Sequence, residues 1–194
     1  MPPPQEGTSG SDLSWGVIGF GRIGRAVARR VRAFGFSLYA FDPNLAEHEV
    51  SRHGARSVPL DELLTRADIV SIHAARTGQG DHLLDRRRLS LMKPAAYLVN
   101  VARGAFVDEE ALADALDAGT LAGAALDVMT DEPPHRSDRL LRHGRTLVTP
   151  HVAWYSDRAE SELRVRGIRA VLDVLSGRQP ADLVPELRPP DTRA

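Results

Sequence analysis

Residues 15–42 run WGVIGFGRIGRAVARRVRAFGFSLYAFD, and few folds can accommodate that pattern. A short apolar run, residues 15–18, predicts a strand. Gly19, Gly21 and Gly24 follow with G-x-G-x-x-G spacing, and Ile23, Ala26, Val27, Arg30, Val31 and Phe34 then recur at helical intervals, predicting a helix. A second apolar strand, residues 37–41, ends at Asp42. The three glycines do different physical work. Gly19 permits the tight turn, Gly21 leaves room for a pyrophosphate against the backbone, and Gly24 lets the helix sit close to its strand. The helix N-terminus offers its N–H groups to the phosphates. Asp42 lies 18 positions beyond Gly24, near the spacing of about 20 at which a carboxylate meets the adenosine ribose. The stretch therefore predicts a dinucleotide site. Asp42 should repel a 2′-phosphate, which favours NAD over NADP unless a basic residue such as Arg56 folds beside it.

The chain has 194 residues, of which 42% are hydrophobic, enough for one good-sized domain. The net charge of −1 and the 5% aromatic content suggest no nucleic-acid partner. Without cysteine there is neither a disulfide nor a thiolate metal site, and no metal is expected. Residues 1–12, MPPPQEGTSGSD, read as a disordered leader rather than a signal peptide, since they lack an apolar core segment. No apolar run is long enough to cross a bilayer. The expectation is a soluble, cytoplasmic protein.

Beyond Asp42, residues 56–58 form a candidate short strand, and Leu60, Leu63 and Leu64 share one face of a short helix. Residues 67–73, 95–101, 121–128 and 146–149 predict further strands. Asp85, Asp108 and Ser156 stand where helix N-caps belong, and Gly119 and Gly177 where helices stop. Strands separated by helical stretches imply an α/β fold, a doubly wound parallel sheet of Rossmann type with helices on both faces. The expected organisation is a leader over 1–12, a dinucleotide-binding domain over 13–177 and an extended, proline-bearing tail over 178–194.

Three polar groups stand at or just past strand ends: Arg103 after VNVA, Glu132 in the DEPP turn and His151 after TP. Taken singly, each would pass for a member of a surface salt bridge. Carboxyl ends of parallel strands converge on one crevice, however, and together the three suit hydride transfer involving a hydroxy acid. A guanidinium grips a carboxylate with two parallel N–H bonds. An imidazole takes or returns the hydroxyl proton, and a neighbouring carboxylate orients it.

The motifs VNVARGAFVDEEAL, LAGAALDVMTDEPP and TPHVAWYS resemble those of the NAD-dependent D-isomer-specific 2-hydroxyacid dehydrogenases. AFGF and TPHVAWYS are most similar to the C-terminal binding protein branch. The resemblance implies Arg103 as the substrate-binding arginine, His151 as acid/base and Glu132 as its partner. It implies cofactor contacts from Gly19, Phe20, Gly21, Arg22, Ile23, Gly24 and Asp42, from Ala74 and Thr77 in the loop over 74–80, from the backbone at Val101 and Ala102, and from Asp127, which matches the position holding the nicotinamide amide. Trp154 matches a residue bordering the substrate pocket, although a core or interface aromatic explains it equally well. Many family members carry proline where this chain has Ala75.

Full-length family members have a second, substrate-binding lobe built mainly from a long N-terminal segment, and by this resemblance these 194 residues are expected to lack it. Part of the apolar face of the last helix would then be bare, favouring self-association or a partner chain. The implied activity is NAD-dependent oxidoreduction of a small 2-hydroxy or 2-keto acid. A non-catalytic NAD(H)-binding interaction module and a truncated remnant are the alternatives.

Overall fold

The structure, a computed structural model, describes residues 9–75, 82–181 and 183. It divides into two compact units, Met1–Ala153 and Trp154–Ala194. The first is built on seven strands: β1 (Ser14–Ile18), β2 (Ser37–Phe41), β3 (Arg56–Ser57), β4 (Ile69–Ile72), β5 (Tyr97–Asn100), β6 (Gly123–Leu126) and β7 (Thr146–Val148). All pair in parallel, in the order β3-β2-β1-β4-β5-β6-β7, so every carboxyl end lies on one edge of the sheet. The chain order reverses between β1 and β4, where Ile18 is flanked by Phe41 on one side and Ile72 on the other. Open parallel sheets bind their ligands at such a switch point. The expected doubly wound α/β class is the one observed.

Alternation along the strands feeds two apolar cores. Val17, Leu38 and Ala40 pack with Ala28 and Val31 of α1 (Arg22–Arg32) and Val50 of α2 (Glu47–Ser51). Ile18, Ile72, Leu98 and Leu126 pack with residues of α3 (Leu60–Arg66), α4 (Arg86–Leu89), α5 (Glu109–Asp117) and α6 (Arg139–Arg142). Helices thus cover both faces. The caps sit where the sequence places them: Asp85 accepts from the Arg88 N–H at 2.7 Å and Asp108 from the Ala111 N–H at 2.9 Å.

Three local expectations need correction or completion. Helix α1 buries Gly24, Ala28 and Val31, whereas Ile23 and Phe34 are 64% and 73% exposed. The cause is Gly24, where a Cβ would stand 2.1 Å from the Gly19 carbonyl oxygen; the helix approaches the sheet through its smallest residues. Helices α2 and α6, of five and four residues, are too short to leave a periodic signal. Of the expected leader, residues 1–8 lie outside the described residues, and Gly10–Asp12 forms one 3-10 turn capped by Ser9.

The second unit is α7 (Asp157–Leu175), capped by Ser156 and followed by Gly177 at φ +69°. It buries no residue, and Leu163, Ile168, Val171, Leu172 and Leu175 are all exposed. Among the described residues no helix is long and apolar enough to cross a membrane. Of the expected tail, residues 182 and 184–194 lie outside the described residues.

Candidate functional site

The glycine turn opens the site. Gly19 has φ +85°, a conformation costly for any residue with a Cβ, and its N–H donates to the Phe41 carbonyl at 2.8 Å. A Cβ there would also strike the Ala74 backbone nitrogen at 2.4 Å, so the turn and the segment leaving β4 touch main chain to main chain. Among the described residues Gly21 caps α1 without any side-chain hydrogen bond, and none lies within 4 Å of where its Cβ would be. The N-terminus of α1 is thus left without a side-chain cap among the described residues, and these residues fit a dinucleotide pyrophosphate. Arg22 and Ile23 begin the helix with exposed side chains, while Phe20 is fully buried. The Phe20 N–H donates to Asp42 Oδ2 at 2.8 Å and the Asn44 N–H to Oδ1 at 3.0 Å, tying the end of β2 to the glycine turn.

Beside the turn, at the end of β4, lies a group that sequence motifs do not single out. Among the described residues both ring nitrogens of His73 are buried without a hydrogen-bond partner, and burial lowers its pKa to about 4. The unfolded chain binds a proton near pH 6.5 and the folded chain does not. The contribution is therefore intact above pH 6.5 and is lost as pH falls toward 4, amounting to about 3 kcal/mol across that window. Urea unfolding at pH 7, 6, 5 and 4.5 should show this slope, and His73→Leu should flatten it. Equal slopes in the two proteins would clear His73 of the effect. Thr77, the other residue expected in this loop, lies outside the described residues.

Past β5, Asn100 organises the turn carrying Arg103. Its Oδ1 accepts from the Ala102 N–H at 3.1 Å and its Nδ2 donates to the Arg103 carbonyl at 2.9 Å. Val101 is half-buried and Ala102 buried. The exposed guanidinium of Arg103 donates to the Ala102 carbonyl at 2.6 Å, folding it along its own loop. At Gly104 the loop abuts the exit of β6, since a Cβ would lie 2.0 Å from the Met129 carbonyl carbon. Glu109 strengthens that joint by accepting the Thr130 N–H at 2.6 Å, and burial pushes its carboxyl up. Sequence reasoning anticipates neither residue; the only trace of Gly104 is its place directly after the arginine.

The remaining candidates meet at the ends of β6 and β7. Asp127 is 5% exposed and accepts from the Thr149 hydroxyl at 2.5 Å, the Val152 N–H at 2.9 Å and the Ala153 N–H at 2.8 Å. Burial alone would raise its carboxyl, but these donors prevail and hold it below the usual range. The hydrogen bonds wrap residues 149–153 around Asp127, and the His151 N–H donates to the Asp127 carbonyl at 2.9 Å. His151 itself is held at φ +55°, in the left-handed region that non-glycine residues seldom occupy. Its Nδ1 lies 2.8 Å from Glu132 Oε2. That hydrogen bond, with the Met129 N–H on the other oxygen at 3.2 Å, lowers the Glu132 carboxyl. Glu132 and His151, 19 residues apart, are thus brought together, while Arg103 is joined to them through the backbone joint at Gly104. Trp154 belongs to the second unit, where it is half exposed and stacks edge-on against Tyr155 at 5.6 Å. Among the described residues no His, Asp or Glu group could hold a metal ion.

Comparison with known proteins agrees with this fold. Residues 2–153 match the family model of the D-isomer specific 2-hydroxyacid dehydrogenase NAD binding domain. Over 171 residues the chain is 37% identical to the D-3-phosphoglycerate dehydrogenase of Bacillus subtilis (strain 168), covering 87% of this chain and 32% of that protein. Over 175 residues it is 36% identical to the D-lactate dehydrogenase of Treponema pallidum (strain Nichols), covering 84% and 52%. The crystal structure of a glyoxylate reductase from Paecilomyes thermophila superposes with a TM-score of 0.85 at 32% identity, over 93% of this chain and 55% of that one. The chain spans about a third to a half of the length of these curated relatives.

Proposed function

Because the chain belongs to the D-isomer-specific 2-hydroxyacid dehydrogenases, through their NAD-binding domain, we propose that it serves hydride transfer between NAD(H) and a small 2-hydroxy or 2-keto acid. The observation that carries the proposal is the His151–Glu132 pair, 2.8 Å apart on the sheet edge that also bears the glycine turn. When bound, the nicotinamide supplies or accepts the hydride. His151 supplies the proton to the carbonyl oxygen in reduction, or takes it from the hydroxyl in oxidation. Because Glu132 engages Nδ1, that proton is exchanged at Nε2. Arg103 takes the substrate carboxylate through its guanidinium fork, swinging away from the Ala102 carbonyl to do so. Asp127 orients the His151 segment and is proposed to hold the nicotinamide amide, with Val101, Ala102 and Ala74 proposed as backbone contacts. Trp154 is proposed to border the substrate. The C-terminal binding protein branch is proposed on the AFGF and TPHVAWYS segments.

The test is NADH fluorescence on the purified chain, followed by a panel of 2-keto acids that includes glyoxylate, pyruvate and hydroxypyruvate. Saturable binding followed by keto-acid-dependent oxidation is expected. Binding with no oxidation by any of the acids would remove catalysis from this chain.

Cofactor choice is proposed to rest on Asp42. Asp42→Ala should weaken NADH binding by about tenfold, the scale of a hydrogen bond to a charged group, while NADPH binding weakens less or improves. Equal losses for both cofactors would instead assign Asp42 to the turn alone.

A further inference from the structure

Several arginines are neutralised by carboxylates on neighbouring turns or elements. Arg66 pairs with Glu62, Arg87 and Arg88 share Asp61, and Arg139 bridges Glu110, Asp114 and Asp117. One group differs. Arg25, Arg29 and Arg32 of α1, with Ala33, Arg52 and His53 at the end of α2, line a cleft of about 510 Å³. Among the described residues none of these four arginines has a carboxylate partner.

Several of these groups are held in place. Arg25 Nε donates to the Phe20 carbonyl at 3.0 Å, and the His53 ring meets the Phe20 ring edge-on at 5.9 Å. The Arg32 guanidinium lies over Gly54, where a Cβ would be 2.8 Å from Nη1. The negative end of the α1 dipole accounts for Arg29 and Arg32 in its last turns. It does not account for Arg25 in the first turns, nor for Arg52 and His53 contributed by another helix.

Four cations lining one concavity repel one another and attract anions. Guanidinium forks match phosphate oxygens, and the volume is that of a small-molecule site. A single phosphate carries at most about two charges, half of what the four arginines present. We propose that this cleft is a second anion site, which takes a compact ligand bearing two or more linked phosphates. It touches the glycine turn at Phe20 through Arg25 and His53 and extends from there: at 1.5 Å rise per residue, Arg29 and Arg32 lie roughly 10–15 Å along α1 from Arg22.

Inorganic polyphosphate and a nucleoside diphosphate share the required chemistry. Calorimetric titration of the full chain with tripolyphosphate, and separately with ADP, both in saturating NADH, distinguishes these sources. One-to-one binding is expected, with comparable affinities if phosphates alone are recognised and tighter ADP binding if the ligand is a nucleotide. The Arg29→Ala/Arg52→Ala double variant should weaken it by at least about tenfold and leave NADH fluorescence titrations unchanged. Arg29→Glu should weaken it further than Arg29→Ala. The proposal is overturned if neither probe saturates in NADH, if binding seen without NADH vanishes when NADH is added, or if the double variant binds as well as the parent. It is equally overturned if a duplex oligonucleotide or a polyglutamate peptide binds the cleft more tightly than both probes, since the partner is then a polymer.

Discussion

Gly104→Ala is expected to cost on the order of 4 kcal/mol of stability and to lower the melting temperature by about 10 °C. The added methyl would lie 2.0 Å from the Met129 carbonyl carbon and 2.3 Å from both the Met129 oxygen and the Thr130 nitrogen. All three are backbone atoms, so no rotamer change relieves the clash. Relief requires separating the loop that carries Arg103 from the turn that carries Glu132, which also breaks the hydrogen bond from the Thr130 N–H to Glu109. Gly144→Ala is the control, because nothing lies within 4 Å of its Cβ position. Thermal and urea unfolding of the two variants measure the difference. Should Gly104→Ala unfold within about 1 kcal/mol of the parent, the size of an ordinary substitution, the backbone joint is not made.

On the proposed reaction, His151→Asn should reduce turnover by about a thousandfold, within the range that general acid–base groups contribute, while NADH still binds. Asparagine is preferred to alanine because it tolerates the left-handed conformation at φ +55°. The backbone around Asp127 then survives and the loss reports chemistry rather than collapse. Glu132→Gln should have a smaller effect, about ten- to a hundredfold, since the imidazole remains but the carboxylate that orients it is gone. Steady-state rates alongside fluorescence titration separate the two terms. A His151→Asn protein with parental turnover would take the imidazole out of the mechanism, and one that lost NADH binding equally would mark a folding defect.

Much of the sheet is legible along the chain because its signals are local. Runs such as IVSI and YLVN announce buried strands, and β2 has the expected bounds, Ser37–Phe41. Caps at Asp85, Asp108 and Ser156 are equally local, each depending on one side chain and an N–H three residues on. The glycine turn is legible for the same reason, since spacing alone gives each glycine its role.

Other features depend on what the chain meets. Periodicity announces α1 but does not say which face is buried, which the close contact at Gly24 decides by admitting only the smallest residues. His73 has the look of a strand terminus, and nothing in its neighbours foretells two unpartnered ring nitrogens. The arginine cleft joins two helices separated by a strand, which no helical pattern within either reveals.

By itself, the sequence determined a parallel α/β domain with a dinucleotide turn and nominated Arg103, Glu132 and His151, because strand patterns and motif spacing are written along the chain. Only the tertiary structure decided that His151 Nδ1 meets Glu132 at 2.8 Å, that Asp127 wraps the histidine segment around itself, and that Gly104 presses the arginine loop against Met129. Each of these joins residues about 20 or more positions apart, and such contacts come into being only when packing brings distant backbone together at one edge of the sheet.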